Sequence, residues 1–449
     1  MGTLRIRGGV GPPAEAMAQL RTFVRRRNSV LGANIAARIA ALVSLSVATL
    51  LVARTTGPAG VGVYALLRVL PGLAGVVLSA GLPGATTYFL AGPERENKRL
   101  PMTLVAMALA GGLLGTGLWA LGAPLLHATL FPRLSLPLIL LAGVTVLTQL
   151  IVATAKSCSQ GTDDLPGANR VIVNEEFMFL PAYGALWGLG VHGYAASIWG
   201  LLFADVVTAV FGTGRLARRG FFREAARPSI DLARRIAGYG LRAQVGGILT
   251  LLNLRLDFLL ISVLTGPAVL GVYAVASKFA ELVKIPPLAL TYVLYPKYAR
   301  DDQQTAAAKA RKLLPRAGLL AAGAIVPVWF AATLLIPALY GSDFKGAITP
   351  AHIILVGLAP QGIAAVITAF LYGVGRPGLN SLGMAVGLAA TVVLDLLLIP
   401  RFGAVGAASA SAVAYASSTL ALVWLFGWVN RPTRTAAWRD GKSLSGADA

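Results

Sequence analysis

Two short stretches decide the fold of this chain, because one nearly repeats the other. Residues 56–65 read Thr-Gly-Pro-Ala-Gly-Val-Gly-Val-Tyr-Ala, and residues 265–274 read Thr-Gly-Pro-Ala-Val-Leu-Gly-Val-Tyr-Ala, so eight of ten positions are identical at an offset of 209 residues. Each copy joins two long apolar runs, where Gly-Pro favours a tight turn and the small residues allow close helix packing. The sequence therefore predicts that the chain consists of two similar halves.

The composition around these copies excludes a soluble protein. Of the 449 residues, 56% are hydrophobic and only 13% are charged, whereas an ordinary soluble chain is ~25% charged. The 51 glycines and 25 prolines follow no short period, which excludes a collagen-like chain as well. A polytopic membrane protein remains as the predicted class.

The apolar runs predict an all-α protein with about twelve membrane-spanning helices. A hydrocarbon core ~30 Å thick needs ~20 apolar residues per helix. The runs are continuously apolar rather than alternating, which favours helices over barrel strands. The predicted spans are 29–53, 60–91, 101–121, 135–155, 171–190, 193–214, 236–264, 268–296, 317–340, 349–372, 379–399 and 404–428.

Six predicted spans separate the two copies of the repeat, and an even number gives both halves the same orientation. The halves are therefore predicted as two parallel-repeat six-helix lobes related by an axis along the membrane normal. Two lobes that face each other across a substrate form an alternating-access architecture. The predicted division is a basic N-terminal segment at 1–28, an N-lobe at 29–214, an Arg-rich linker at 215–235, a C-lobe at 236–428 and a polar tail at 429–449.

The basic residues predict the orientation. The formal net charge is +21, and with a cytoplasmic N-terminus 29 of the 39 Lys and Arg residues fall on the inner side and four on the outer side. This bias predicts a multi-pass protein of the plasma (inner) membrane with both termini in the cytoplasm. Because the charge marks orientation, nucleic acid is not a predicted partner, and the expected attraction is to anionic lipid of the inner leaflet.

The sequence offers little for catalysis or metal binding. Cys158 is the single cysteine, and His127, His192 and His352 share no metal-ligand spacing. The longest predicted outer connection is 122–134, whereas a membrane enzyme that polymerises or ligates glycans needs an extensive outer loop. We therefore predict a protein that is not an enzyme and has no catalytic residue, metal site or cofactor.

Five cations within the predicted spans are candidates for binding an anionic substrate. A charge at mid-membrane costs ~2.5–3.5 kcal/mol on insertion scales, so such residues face a wet cavity or a partner. At a rise of ~1.5 Å per residue from the outer turns, three cations lie near the midplane and two lie nearer the cytoplasm. The midplane group is Arg68, Arg255 and Lys278, and the inner group is Arg38 and Lys284. The alternative is local neutralisation, for which the spacing of Lys278, Glu281 and Lys284 along one helix is suitable.

Three carboxylates within the spans are candidates for coupling transport to protons or sodium ions. These are Asp257, Glu281 and Asp395, and a desolvated carboxylate has a strong tendency to bind a proton or a partner cation. Ion pairing with the cations above is the alternative interpretation, and the sequence leaves both open. The remaining acids within the spans are Glu175 and Glu176, predicted as an interfacial pair, and Asp205, for which the sequence identifies no partner.

Several short stretches together resemble a known family. They are Tyr-Gly-Leu at 239–241, Leu-Arg-Leu-Asp at 254–257, Gly-Val-Tyr at 271–273, Lys-Phe-Ala-Glu at 278–281 and Tyr-Pro at 295–296, with Ser-Gln-Gly at 159–161. The first five look like the seventh-to-eighth helix region of Wzx-type oligosaccharide flippases of polysaccharide export, and the last resembles the short polar turn of that family. Span number and repeat also agree over residues 29–428, so the chain resembles the MATE-like MOP superfamily.

This resemblance implies a flippase that moves a polyprenyl-pyrophosphate-linked oligosaccharide from the inner to the outer leaflet during O-antigen, lipopolysaccharide or exopolysaccharide assembly. The implied partners are that substrate, membrane lipid and other polysaccharide-assembly proteins. The alternatives are a MATE-type cation-coupled multidrug exporter, whose substrates are usually cationic, and a MurJ-like lipid II flippase, which usually carries two further helices. A glycan polymerase or ligase, or a structural scaffold, is a weaker alternative.

Overall fold

The computed structural model describes residues 14–431, except for the side chains of residues 14–31, 35, 76, 93, 243–251, 253, 254 and 292. The outer parts of the predicted N-terminal segment and of the predicted tail lie outside this range. All regular elements in the described range are helical. The α-helices are α1 Ala14–Leu78, α2 Leu82–Ala91, α3 Leu100–Thr129, α4 Leu136–Gly161, α5 Leu165–Phe177, α6 Phe179–Gly188, α7 Gly193–Arg218, α8 Ile230–Thr265, α9 Pro267–Tyr298, α10 Gln303–Leu335, α11 Ile348–Gly357, α12 Gln361–Gly373 and α13 Pro377–Val429.

The two longest helices are each interrupted at a glycine. In α1, Gly57 has φ 67° and ψ −168°, and in α13, Gly403 has φ 53° and ψ −127°. Glycine takes a positive φ without a Cβ clash, so the chain bends sharply at both places. With 65 and 53 residues and a rise of ~1.5 Å per residue, each helix is long enough to cross the bilayer twice.

The predicted all-α polytopic fold is confirmed. Among the described residues, six helices are long and apolar enough to cross a bilayer, and a bent pair that ends with α12 makes a seventh. Two of these helices, α1 and α13, each become two segments when they are divided at their glycines. The described residues then contain twelve segments, one for each predicted span, when α8, α9 and the α5–α6 pair are added.

Several predicted span ends differ from the observed helix ends, and two of these differences affect the description of the site. The predicted second span, 60–91, is too long, because the helix ends at Leu78 and the chain turns through Ala80 and Gly81, which both have positive φ. The short helix α2 follows this turn. The predicted fifth span starts too late, because Asp164 caps α5 and the helix begins at Leu165.

The helices of each half pack mainly on one another. In the N-terminal half (14–218), α3 packs on α4, α4 on α7, and α1 on α5; in the C-terminal half (230–429), α8 packs on α13 and α9 on α12. The halves meet where α1 packs on α9 and α2 packs on α8. This pattern agrees with two lobes, whose boundaries remain predictions.

A buried carboxylate fixes the connection between α4 and α5. Asp164 accepts a hydrogen bond from the Gly167 N–H at 3.1 Å, and Arg215 at the end of α7 donates to its two carboxylate oxygens at 2.9 and 3.0 Å. Burial acts to raise the pKa of Asp164, but these hydrogen bonds outweigh it and hold the pKa below its usual value. Arg215 therefore has a structural partner in the connection between α4 and α5.

The two copies of the repeat pack directly against each other where α1 crosses α9. Gly62 lies against the carbonyl oxygen of Pro267, and Gly271 lies against that of Pro58. A Cβ atom on either glycine would lie 1.8 Å from the opposing oxygen. The third position of each copy therefore contacts the seventh position of the other, and only glycine permits this approach. We call this contact the repeat crossing.

Candidate substrate cavity

A cavity of about 320 Å³ lies between the two halves, next to the repeat crossing. At ~30 Å³ per molecule, it has room for about ten waters. Its walls come from α1, α5, α8 and α9, and its charged lining residues are Arg68, Arg255, Lys278 and Glu176. The structure thus brings together the three cations that the sequence places near the midplane.

Arg68 forms the shortest ion pair of the cavity wall. Its guanidinium donates to Glu176 Oε1 at 2.6 Å, and the side chains are 23% and 16% exposed, respectively. The guanidinium carbon also lies 5.8 Å from the ring centroid of Tyr64, which is within the range of a cation–π contact. Arg68 is therefore held by a carboxylate and a ring, and the residual exposure lies on the cavity.

Arg255 and Lys278 share one carboxylate. The guanidinium of Arg255 lies 3.5 Å from Glu281 Oε1, and the Lys278 ammonium lies 3.4 Å from Oε2. The Arg255 guanidinium carbon also lies 5.4 Å from the Phe258 ring centroid. Three cations and two carboxylates therefore form one group with an excess of positive charge, which we call the cation layer.

Glu176 is a site residue that sequence reasoning missed. The sequence places it near the start of a span and pairs it with Glu175, but α5 begins at Leu165, so Glu176 lies twelve residues into the helical segment. Glu175 instead lies 3.5 Å from the Lys156 ammonium. The sequence does contain one signal for this position, because Asp164 is a suitable N-cap residue. A helix that starts there places Glu175 and Glu176 deeper in the membrane.

The structure does not bring the two inner cations into the described lining of this cavity. Lys284 donates to the Tyr415 hydroxyl at 3.0 Å, and its ammonium lies 4.8 Å from the centroid of that ring. Arg38 is exposed near the start of the first span, and its guanidinium donates to Asn34 Oδ1 at 3.0 Å. Their assignment to substrate binding remains a prediction.

Two of the three candidate coupling carboxylates lie in a separate buried cluster of the C-terminal half. Asp257 accepts hydrogen bonds from the Tyr273 hydroxyl and, at 2.9 Å, from the Phe258 N–H. The Tyr273 hydroxyl also lies 3.0 Å from Ser411 Oγ. We call this group the acidic cluster, and the third candidate, Glu281, is bound to the cations instead.

Asp395 belongs to the same cluster and is fully buried at 0% exposure. Neither of its carboxylate oxygens has a hydrogen-bond partner among the described residues, and the charge of Asp257 acts on it. A buried charge without a partner is costly, whereas a bound proton or cation removes that cost. In the N-terminal half, by comparison, Asp205 accepts a hydrogen bond from Thr148 at 3.3 Å.

The ends of the halves on the predicted outer side are linked at two places. The repeat crossing is one. In the other, Arg54 at the end of the first span donates to the carbonyl oxygens of Leu339 and Ala338 at 2.5 and 2.8 Å. The first link is a backbone contact and the second is a pair of hydrogen bonds from an exposed side chain to backbone, so a separation of the halves breaks both without burying a new charge. The geometry therefore combines an anion-attracting cavity with a closure on one side.

Two curated proteins match part of the chain. A probable low-salt glycan biosynthesis flippase, Agl15, of Haloferax volcanii is 23% identical over 234 residues, covering 50% of this chain and 48% of that protein. An uncharacterized membrane protein, MJ1068, of Methanocaldococcus jannaschii is 20% identical over 244 residues, covering 52% of this chain and 47% of that protein. This chain therefore spans about half the length of the curated relatives it matches.

Solved structures of the same fold come from two kinds of transporter. The lipid II flippase MurJ in an inward closed conformation superposes with a TM-score of 0.70 at 15% identity, covering 88% of this chain and 86% of that chain. An inward-facing multidrug resistance MATE family transporter of the MOP superfamily superposes with a TM-score of 0.66 at 16% identity, covering 86% and 93%. At these identities the likeness concerns the fold.

A family model described as polysaccharide biosynthesis protein matches residues 51–349. The match covers most of the chain and includes both copies of the repeat, the repeat crossing and the whole cation layer. It confirms the resemblance that the helix stretches of the second half indicate. The chain belongs to the polysaccharide biosynthesis protein family, and its fold is the one seen in the MATE and MurJ transporter structures.

Proposed function

We propose that this protein is a flippase that moves a polyprenyl-diphosphate-linked oligosaccharide from the inner to the outer leaflet by alternating access. The observation that carries the proposal is the convergence of Arg68, Arg255 and Lys278 on one cavity between the halves. The description of the Haloferax volcanii relative as a probable glycan biosynthesis flippase supports the same activity. The location follows as a plasma (inner) membrane with cytoplasmic termini.

In this proposal the carboxylates hold the cation layer until substrate arrives. Glu176 neutralises Arg68, and Glu281 lies between Arg255 and Lys278. A diphosphate offers more acceptor oxygens than either carboxylate and suits the planar guanidinium groups. Substrate binding therefore exchanges one set of anions for another, and the diphosphate also supplies negative charge for the one cation that the two carboxylates leave in excess.

The size of the cavity defines which part of the substrate it receives in this state. A volume of about 320 Å³ lies at the lower end of the range of ~300–1,000 Å³ found for small-molecule sites. It suits a diphosphate headgroup rather than a whole glycan. The sugars then occupy the space that opens when the halves separate, and the polyprenyl tail stays in lipid between them.

The acidic cluster is proposed as the coupling site, with Asp257 and Asp395 binding a proton or a sodium ion. Its support is the pair of Asp395 oxygens that have no hydrogen-bond partner among the described residues. In proteoliposomes, transport by the wild-type protein then depends on a proton or sodium gradient. Asp395→Asn removes that dependence, and a gradient response of wild-type size in this variant contradicts the coupling proposal.

The flippase proposal is tested with purified protein in proteoliposomes. A fluorescent polyprenyl-diphosphate oligosaccharide is placed in both leaflets, and its transfer is followed as loss of lectin or quencher accessibility. Arg68→Ala, Arg255→Ala and Lys278→Ala are each expected to slow transfer strongly. Arg133→Ala is the matched control, since Arg133 is an exposed arginine outside the cavity lining.

The same vesicles separate this proposal from its rivals. Full transfer by all three cavity variants contradicts the cation layer as the binding site. Transfer of a cationic dye, but not of the diphosphate lipid, assigns the protein to drug export instead. Faster transfer of lipid II than of other diphosphate-linked glycans identifies the substrate as a peptidoglycan precursor. Other proteins of polysaccharide assembly are proposed partners that this assay does not require.

A further inference from the structure

A second cavity lies far from the cation layer, between the end of α9 and the start of α10. Its volume is about 570 Å³. On α9 the lining residues Leu294, Lys297 and Tyr298 share one helix face, and on α10 Lys309, Lys312, Leu313 and Arg316 do the same. Arg300 and Asp301 line the cavity from the turn between the two helices. Two such faces packed side by side form a groove with an apolar floor and a charged rim. We call it the basic groove.

The rim of the basic groove carries more basic residues than acidic ones. Five basic residues line it, and one acid, Asp301, lies among them. Lys309 forms an ion pair with Asp301, and its ammonium lies 2.8 Å from both carboxylate oxygens. The other four cations have no carboxylate within ion-pair distance among the described residues, and they are Lys297, Arg300, Lys312 and Arg316.

The floor contains a hydrogen-bonding group that lacks a partner. Tyr298 is only 2% exposed, and its hydroxyl has no hydrogen-bond partner among the described residues. Because this hydroxyl is closed to solvent, the attraction of the groove for a phosphate group rests on the four cations named above.

The groove also lies beside an apolar surface. Leu319 and Leu320, one turn beyond Arg316 on α10, are 74% and 75% exposed. Large apolar side chains with such exposure on a membrane-spanning helix face lipid. A lipid can place its phosphate in the groove and its acyl chain on these leucines, whereas a soluble phosphate contacts only the groove.

We propose that the basic groove binds the phosphate of an anionic glycerophospholipid of the inner leaflet. The lipid ties the end of α9 to the start of α10, while its acyl chains lie along the exposed leucines. This site is separate from the cation layer and does not depend on the proposed substrate. It adds a specific lipid to the diffuse attraction that a basic membrane face exerts.

The test measures binding of dioleoylphosphatidylglycerol to the detergent-purified full-length protein, by native mass spectrometry and by titration. One molecule is expected to bind with higher affinity than the rest. Removing three rim cations in Lys297→Gln/Lys312→Gln/Arg316→Gln is expected to weaken it about 100-fold, since each cation near the surface contributes about fivefold.

A control variant with the same loss of charge makes the result specific. Arg218, Arg223 and Arg311 are exposed on the same predicted face of the membrane and do not line the groove. Arg218→Gln/Arg223→Gln/Arg311→Gln is expected to keep the tight site within about threefold. Equal losses in the two triple variants overturn the proposal, because they indicate diffuse attraction rather than a built site.

Two further ligands distinguish the lipid from other sources of phosphate. Dioleoylphosphatidylcholine, which has no net charge, is expected to leave the tight site unoccupied. Inorganic phosphate at millimolar concentration is expected not to displace phosphatidylglycerol. Displacement by inorganic phosphate, or equal binding of the zwitterionic lipid, overturns the assignment to an anionic lipid.

Discussion

The two halves carry the same tyrosine in the same repeat and use it differently. Tyr64 is 2% exposed, its ring lies beside Arg68, and its hydroxyl has no hydrogen-bond partner among the described residues. Tyr273 is equally buried, but its hydroxyl donates to Asp257 and lies 3.0 Å from Ser411 Oγ. One copy therefore supports a cation beside the cavity, and the other supports a buried carboxylate.

The comparison separates the features that both copies of the repeat share from the features that are specific to one half. Both copies keep the glycine and proline that form the crossing. The charges have no such symmetry, because at the offset of 209 residues Arg68 corresponds to Ser277 and Lys278 to Val69. Backbone packing is thus shared by the halves, while the cation layer and the acidic cluster are each specific to their place.

The largest effect is expected when the Arg68–Glu176 pair is broken. Arg68→Gln leaves Glu176 without its cation, which is expected to lower the free energy of unfolding by about 3 kcal/mol and transport to about a hundredth of the wild-type rate. The double variant Arg68→Gln/Glu176→Gln leaves no unpaired charge, so stability is expected to recover. Thermal unfolding and flipping in the same vesicles measure the two quantities separately.

The double variant decides whether Arg68 binds substrate or only neutralises Glu176. If Arg68 binds the diphosphate, transport stays low although stability returns. Recovery of both quantities together contradicts a direct role for Arg68.

A smaller effect is expected when the repeat crossing is disturbed. Gly62→Ala and Gly271→Ala each place a Cβ atom 1.8 Å from a carbonyl oxygen, and such overpacking is expected to cost about 2 kcal/mol in the closed state. The two substitutions are expected to act alike, because the contact is reciprocal. Both should increase labelling of a cysteine at Thr49, in the cavity wall, by a membrane-impermeant thiol reagent applied from outside.

Gly75→Ala in the same helix is the control, since a Cβ there has no neighbour within 4 Å. Cys158 is replaced by alanine in every variant so that only the introduced thiol reacts. A strong effect from one crossing glycine and none from the other contradicts the reciprocal contact.

The two tyrosines themselves provide a third comparison. Tyr273→Phe removes the donor that Asp257 uses, which is expected to cost about 1.5 kcal/mol. Tyr64→Phe removes a hydroxyl without a partner and keeps the ring beside Arg68, so its cost is expected to stay below about 0.5 kcal/mol. Unfolding midpoints of the two variants check this order, and equal costs remove the distinction between the halves.

The smallest effect on transport is expected at Lys284. Lys284→Gln and Lys278→Gln make the same change on one helix, but Lys284 contacts Tyr415 and Lys278 lines the cavity. The Lys284 variant loses one cation–π contact worth about 0.5–1 kcal/mol and is expected to transport within about threefold of the wild type. A loss at Lys284 as large as that at Lys278 moves the substrate path toward Tyr415.

Much of this fold follows from the sequence, because long apolar runs and turn glycines act locally. The repeat, the twelve spans and the predicted midplane position of Arg68, Arg255 and Lys278 all depend on spacing along single helices. Which carboxylate faces which cation depends on helix rotation and on contacts between helices that are distant in the chain. Glu176, whose partner lies 108 residues away, is therefore visible only in the structure.

The error in the predicted end of the second span has a similar cause. Apolar composition continues past Leu78, but the positive φ of Ala80 and Gly81 ends the helix. Hydropathy does not distinguish a continuing helix from an apolar turn followed by the short helix α2. Gly240, which belongs to the other half, packs closely on the Ala80 carbonyl, and a Cβ there would lie 2.1 Å from that oxygen. This contact between the halves fixes the turn.

The most direct measurement is the affinity of the purified protein for a polyprenyl diphosphate compared with the corresponding polyprenol. The wild type is expected to bind the diphosphate at least about 100-fold more tightly, and Arg68→Gln/Arg255→Gln/Lys278→Gln is expected to bind both alike, since each charge-assisted contact removed is worth about 1.5 kcal/mol or more. A preference for the diphosphate that survives the loss of all three cations contradicts the account.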